Sequence, residues 1–109
     1  MSYVKAVERQ QVPKGAMKAV RLHDKEILVA NVDGAYYAID GRCPHAKADL
    51  SKGTLEGSIL TCPRHGSRFE VTTGKAISGP KILFLRLGVG DVRSYEVNVK
   101  DDDVLIKME

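Results

Sequence analysis

The chain has 109 residues and a net charge of +3, from 17 Lys and Arg against 14 Asp and Glu, with no Trp, two Phe and four Tyr. That length makes a single domain, residues 1–109, with one modest core; the small mixed charge argues against a nucleic-acid partner. No apolar stretch of signal-peptide length opens the chain, and its longest apolar runs, Ile27 to Ala30 and Ile82 to Leu85, are far too short to span a bilayer, so a soluble, cytoplasmic protein without a membrane anchor is expected.

In chain order the pattern predicts strands almost throughout. Ala16 to His23 alternates, Glu26 to Val32 is rich in branched residues, and Asp33-Gly34 leads into Tyr36 to Ile39. Asp-Gly between two such runs signals a hairpin, because glycine accepts the positive φ of a type I′ turn. Ser58 to Thr61 and Phe69 to Thr72 read as a second hairpin, followed by a turn at Thr73-Gly74. Lys81 to Asp91 is strongly apolar from Ile82 to Leu87 and reads as an extra strand or a short helix, a candidate docking or self-association patch where exposed. Arg93 to Lys100 alternates, Asp101 to Asp103 turn the chain, and Val104 to Met108 closes the sheet. No run holds helical periodicity for more than about two turns. An all-β barrel or sandwich is expected.

The chemistry-bearing residues are concentrated in two blocks. Cys43-Pro44-His45 is followed, after sixteen residues, by Cys62-Pro63-Arg64-His65, and these blocks hold both cysteines and two of the three histidines. The third, His23, stands apart from any cysteine and reads as structural. Two thiolates and two imidazoles suit zinc or an iron–sulfur cluster. In zinc fingers a Cys pair precedes a His pair, whereas here each block supplies one of each. That interleaving lets two cysteines meet one iron and two histidines the other, the ligand set of a Rieske centre. A disulfide between Cys43 and Cys62 is possible by count but leaves the histidines unexplained; zinc is the other alternative.

At these residues the sequence resembles the Rieske ferredoxins. Cys43-Pro44-His45, Gly57, Cys62-Pro63-Arg64-His65-Gly66, Phe69, Thr73-Gly74 and Gly79-Pro80 fall where that family's pattern puts them, so that about residues 26 to 80 carry the likeness. The resemblance implies three antiparallel sheets with a small cluster-binding subdomain at about residues 41–80. It implies one 2Fe-2S cluster per chain, with Cys43 and Cys62 on the iron that stays ferric and His45 and His65, through Nδ1, on the iron that takes the electron. Pro44, Pro63 and Gly79-Pro80 would stiffen the loops around it, since proline fixes φ. Two neutral imidazoles in place of two thiolates make reduction easier, and Rieske potentials lie at about −150 to +300 mV against about −400 mV for plant-type clusters.

What the resemblance implies about function is a one-electron carrier, not itself an enzyme, that takes electrons from a flavin-dependent reductase and delivers them to a terminal oxygenase. The alternative is a small electron-input or structural subunit of a nitrite-reductase-like enzyme, although such chains often lack ligands and this one has all four. Oxygenases of this kind carry a further domain with a mononuclear iron, for which 109 residues leave no room. Lys47, Lys52, Arg64 and Arg68 lie in or beside the ligand loops while Asp101-Asp102-Asp103 lie far away, so a basic rim facing an acidic partner is a further expectation.

Overall fold

The computed structural model describes residues 2–44, 47–64, 66–78, 81–82, 85–86 and 90–108, with 81–82 and 85–86 described by their backbone. Its strands in chain order are β1 (Ser2–Glu8), β2 (Met17–Leu22), β3 (Lys25–Val32), β4 (Ala35–Asp40), β5 (Thr54–Glu56), β6 (Ile59–Thr61), β7 (Arg68–Glu70), β8 (Lys75–Ser78), β9 (Lys81–Ile82), β10 (Leu85–Arg86), β11 (Ser94–Tyr95), β12 (Val97–Lys100) and β13 (Asp103–Met108). They form three principal antiparallel sheets, ordered β1-β13-β12, β11-β4-β3-β2 and β5-β6-β7-β8, together with the two-residue ladder β9-β10.

The layering follows from β3. Ile27, Leu28, Val29 and Ala30 are all buried, which a strand tolerates only when both of its faces are covered. Leu28 and Ala30 pack with Ile39, Leu50, Leu60, Phe69, Val71 and both cysteines. Ile27 and Val29 pack on the other side with Val7, Val12, Tyr95, Val104 and Ile106. The sheet containing β3 is therefore the middle layer, and the two cysteines belong to the core between it and the β5–β8 sheet.

Turn chemistry sets the hairpins. Asp33 and Gly34 both have positive φ, 52° and 97°, as the Asp-Gly reading required. The β2–β3 hairpin turns on His23 and Asp24, also at positive φ (49° and 64°), with no glycine to announce it; His23 is an exposed turn residue. β7 ends at Glu70 rather than continuing to Thr72, because the Glu70 carbonyl accepts from the N–H groups of both Thr73 and Gly74 and curls the chain. The alternating run from Arg93 to Lys100 is two strands. Ser94 and Tyr95 pair with β4, whereas Val97 to Lys100 pair with β13, so the chain changes sheets at Glu96. The carboxyl-terminal turn is Asp101-Asp102, and Asp103 already pairs with Lys100. In the apolar segment 81–91 the described backbone makes strands β9 and β10, while its side chains from 81 to 89, and hence the docking patch expected there, lie outside the described residues.

Candidate metal centre

Both ligand loops leave hairpins of neighbouring layers, as the sequence pattern predicted. The first follows β4 through Gly41 and Arg42, and the second joins β6 to β7. The two loops share a backbone design. The Cys43 N–H donates to the Ala48 carbonyl at 3.0 Å, and the Cys62 N–H donates to the Ser67 carbonyl at 2.7 Å, so each cysteine opens a turn closed five residues later. In each, the residue four after the cysteine has positive φ, Lys47 at 53° and Gly66 at 73°. A proline follows each cysteine.

The cysteines meet in the core. Both are free thiols, and Cys43 is 1% and Cys62 2% exposed, which sets the disulfide alternative aside. Burial pushes the Cys62 thiol above its ordinary pKa and the facing Cys43 thiol adds to this, while the Arg64 N–H and the Arg64 charge pull the other way. Two apposed thiols of this kind deprotonate when a metal arrives to share the charge. Pro44, Lys47, Pro63 and Arg64 are exposed above them. His45, His65 and Gly79-Pro80 lie outside the described residues.

Ser67 adds an observation that spacing could not supply as geometry. It is fully buried, and its Oγ has no hydrogen-bond partner among the described residues. An orphaned buried hydroxyl costs about 1–3 kcal/mol, so a buried serine that closes the Cys62 turn through its carbonyl calls for an acceptor for its side chain.

The first loop is braced from the base in a way the sequence reading did not find. Arg42 pairs with Glu26 of β3 and donates from Nη1 to the Lys47 carbonyl at 3.2 Å. Arg42 and Asp49 form an isolated antiparallel bridge, and the Asp49 carboxylate accepts from Ser51 N at 3.0 Å and Ser51 Oγ at 2.6 Å to cap the 3-10 turn Leu50–Lys52. Glu26 and Arg42 are sixteen positions apart, so no local pattern linked them.

The chain matches the family model described as the Rieske [2Fe-2S] domain over residues 2–96. It is 35% identical over 108 residues to the ferredoxin component of the naphthalene 1,2-dioxygenase/salicylate 5-hydroxylase systems of Ralstonia sp, covering 99% of this chain and 97% of that one. It is 32% identical over 106 residues to the naphthalene 1,2-dioxygenase ferredoxin component of Pseudomonas aeruginosa, covering 97% and 95%. Among solved structures, the ferredoxin of carbazole 1,9a-dioxygenase from Nocardioides aromaticivorans IC177 superposes with a TM-score of 0.83 at 30% identity, covering both chains completely. These full-length matches are to ferredoxin components; a nitrite reductase (NADPH) small subunit also superposes over its whole length, with a TM-score of 0.78, but at 17% identity it shares the fold alone. With its three sheets and its paired cysteine loops, the chain belongs to the Rieske [2Fe-2S] family and is a ferredoxin of the oxygenase-associated type, an electron carrier whose cofactor is a 2Fe-2S cluster.

Proposed function

We propose that Cys43, Cys62, His45 and His65 hold that cluster, the cysteines on one iron and the histidines on the other. The observation that carries this is the meeting of two buried free thiols, with Ser67, its hydroxyl orphaned among the described residues, in the turn that Cys62 opens. The donor set fits the group: thiolates suit iron–sulfur chemistry, and a bound cluster would bring sulfur acceptors of the kind that the Ser67 Oγ–H lacks among the described residues. When bound, the cluster supplies a reversible one-electron couple. The chain's own residues fix where that couple sits. The Cys43 and Cys62 turns hold the thiols at a fixed separation, Arg42 ties the first loop to β3, and the core around Leu60, Phe69 and Leu50 keeps water from the sulfur side.

The carrier would work in the cytoplasm as a monomeric single domain, residues 1–109, with its cluster-binding subdomain at about 41–80. It would take one electron at a time from a flavin-dependent reductase and pass it to a terminal oxygenase. Among the described residues no helix is long and apolar enough to cross a membrane.

The test is metal analysis and spectroscopy of the purified protein. About two irons and two sulfides per chain are expected, with the low average g value of a histidine-ligated cluster after reduction. Cys43→Ser abolishes assembly, and His45→Cys lowers the potential or abolishes assembly. A colourless protein holding one zinc overturns the assignment.

A further inference from the structure

The β5–β8 sheet is electrically polar along its strands. Its register aligns Thr54, Thr61, Arg68 and Ser78 in one row and Glu56, Ile59, Glu70 and Lys75 near the other end. Cys62 directly follows Thr61, so the first row is the cluster end. Lys52 lies two residues before Thr54, Arg64 lies in the loop after Thr61, and Arg68 is in the row itself. All three, with Lys47 in the first ligand loop, are exposed, and none forms an ion pair among the described residues.

The carboxylates are placed differently. Glu56 and Glu70 stand at the far end of the sheet, and Glu70 accepts from Thr72 Oγ1 at 2.7 Å. Asp49 is near the cluster end, but it is taken up by Ser51 and faces Arg42 as well as Lys52. Asp91 is taken up by the Ala76 N–H at 2.8 Å. Internal hydrogen bonds thus tie down Asp49, Glu70 and Asp91, and the exposed Glu56 is at the far end, while the cations at the cluster end stand in solvent.

Among the described residues the same end carries one exposed large apolar side chain, Ile77. The register slips between Arg68 and Phe69, pairing Arg68 with Ser78 and Phe69 with Ala76, so Ile77 is the extra residue of a β-bulge. Bulges re-aim side chains, and Ile77 is 47% exposed. An isoleucine beside Arg68, next to the loop ends that hold the cysteines, supplies the apolar centre that a charged rim lacks.

We infer that Lys52, Arg64, Arg68 and Ile77 form the docking surface for the terminal oxygenase, whose complementary face is acidic and has an apolar recess for Ile77. This rests on the carrier role proposed above. The cations raise the encounter rate by long-range attraction, and Ile77 acts after contact, through desolvation. The two contributions therefore separate by their salt dependence, because only the first is screened.

The test uses the holoprotein, reduced and mixed by stopped flow with its own oxygenase component, and in parallel with ferricyanide and hexaammineruthenium(III) as anionic and cationic acceptors. With the oxygenase and with ferricyanide the second-order rate constant falls as salt rises; with the ruthenium complex it rises. Lys52→Glu with Arg68→Glu slows the oxygenase reaction about tenfold at low salt and flattens its salt dependence. Ile77→Ser slows that reaction several-fold with the salt slope unchanged and leaves both small acceptors unaffected. Lys75→Glu, at the far end of the sheet, changes none of these beyond about twofold. Visible absorption and potential confirm an intact cluster in each variant, and Lys52→Gln with Arg68→Gln, halving the charge change, replaces any reversal that fails to assemble. An oxygenase reaction that is fast but indifferent to salt, to charge reversal and to Ile77, or equally sensitive to Lys75, overturns the docking surface and leaves the carrier role standing. Failure of the wild-type protein to reduce the oxygenase, with rapid oxidation by both small acceptors, overturns the partner assignment and the docking surface with it.

Discussion

Lys47 and Gly66 occupy the same place in two loops of one design. Each stands four residues after its cysteine, at positive φ, inside a turn closed by the cysteine N–H. Such a conformation costs a residue with a side chain roughly 1–2 kcal/mol, and glycine almost nothing. Among the described residues a Cβ at Gly66 would meet no atom within 4 Å, so the cost of Gly66→Ala is conformational, about 1–2 kcal/mol. Lys47→Gly removes the same strain but loosens the unfolded chain by a comparable amount. The expected result is a melting temperature lowered by several degrees in Gly66→Ala and little changed in Lys47→Gly, read by loss of cluster absorbance on heating.

Gly53 limits the second loop from the side. A Cβ there would fall on the carbonyl oxygen of Thr61, whose neighbour is Cys62. Backbone cannot swing aside as a side-chain tip can, so Gly53→Ala displaces the end of β6 and the cysteine with it. We expect the purified variant to hold much less iron than the wild type, with far-UV circular dichroism still showing a β protein. Normal iron content would mean that the 3-10 turn moves instead.

The brace on the first loop depends on pH. Hydrogen bonding to Arg42 holds the Glu26 carboxyl below the usual range, and the Ser51 hydroxyl and N–H do the same for Asp49. A carboxyl depressed in the folded state leaves the unfolded chain binding more protons over the interval between the two pKa values. Its contribution is therefore complete above the unfolded pKa, near pH 4, and is lost as pH falls through the folded value. Transfer of iron to a chelator should accelerate below about pH 4 in the wild type. Arg42→Ala should be faster already at pH 7, since it frees the Lys47 carbonyl and leaves Glu26 only its longer, exposed pairing with Arg21 at 3.5 Å. Asp49→Ala removes the cap, at a cost of about 1 kcal/mol, and with it that part of the acid dependence.

The layers were legible where one residue type has one use. The branched run Glu26 to Val32 marked a strand, Asp33-Gly34 marked its turn, and the two cysteine blocks marked two loops whose thiols meet in the core. Other features needed the third dimension. His23-Asp24 turns a hairpin without glycine, and nothing in the alternation of Arg93 to Lys100 shows that the strand passes from one sheet to another at Glu96. β1 pairs with β13 from the opposite end of the chain, and Glu26 reaches Arg42 across β3 and the first loop. Ile77 lies outside every strand read from the sequence, and only the register shows it to be the bulge residue.

The last prediction concerns the potential and turns on Ser67 and Phe69. The resemblance to the Rieske ferredoxins implies that members of high potential place hydroxyls at both positions as donors to sulfur, whereas this chain has only the serine. A hydroxyl bond to sulfur stabilises the reduced state more than the oxidised one, because the added electron enriches the acceptor. Ser67 is fully buried with its Oγ unpartnered among the described residues, and Phe69 is fully buried in the core that holds both cysteines. If the differential is about 1–2 kcal/mol, a one-electron couple moves by roughly 40–85 mV. Ser67→Ala should therefore lower the midpoint by tens of millivolts, and Phe69→Tyr should raise it, in mediated titrations at matched cluster content. Ser67→Thr, which keeps the hydroxyl but adds a methyl to a filled site, should retain most of the potential while lowering stability. An unchanged midpoint in Ser67→Ala would show that the hydroxyl finds its acceptor on the backbone, and the potential would then be set by the ligands alone.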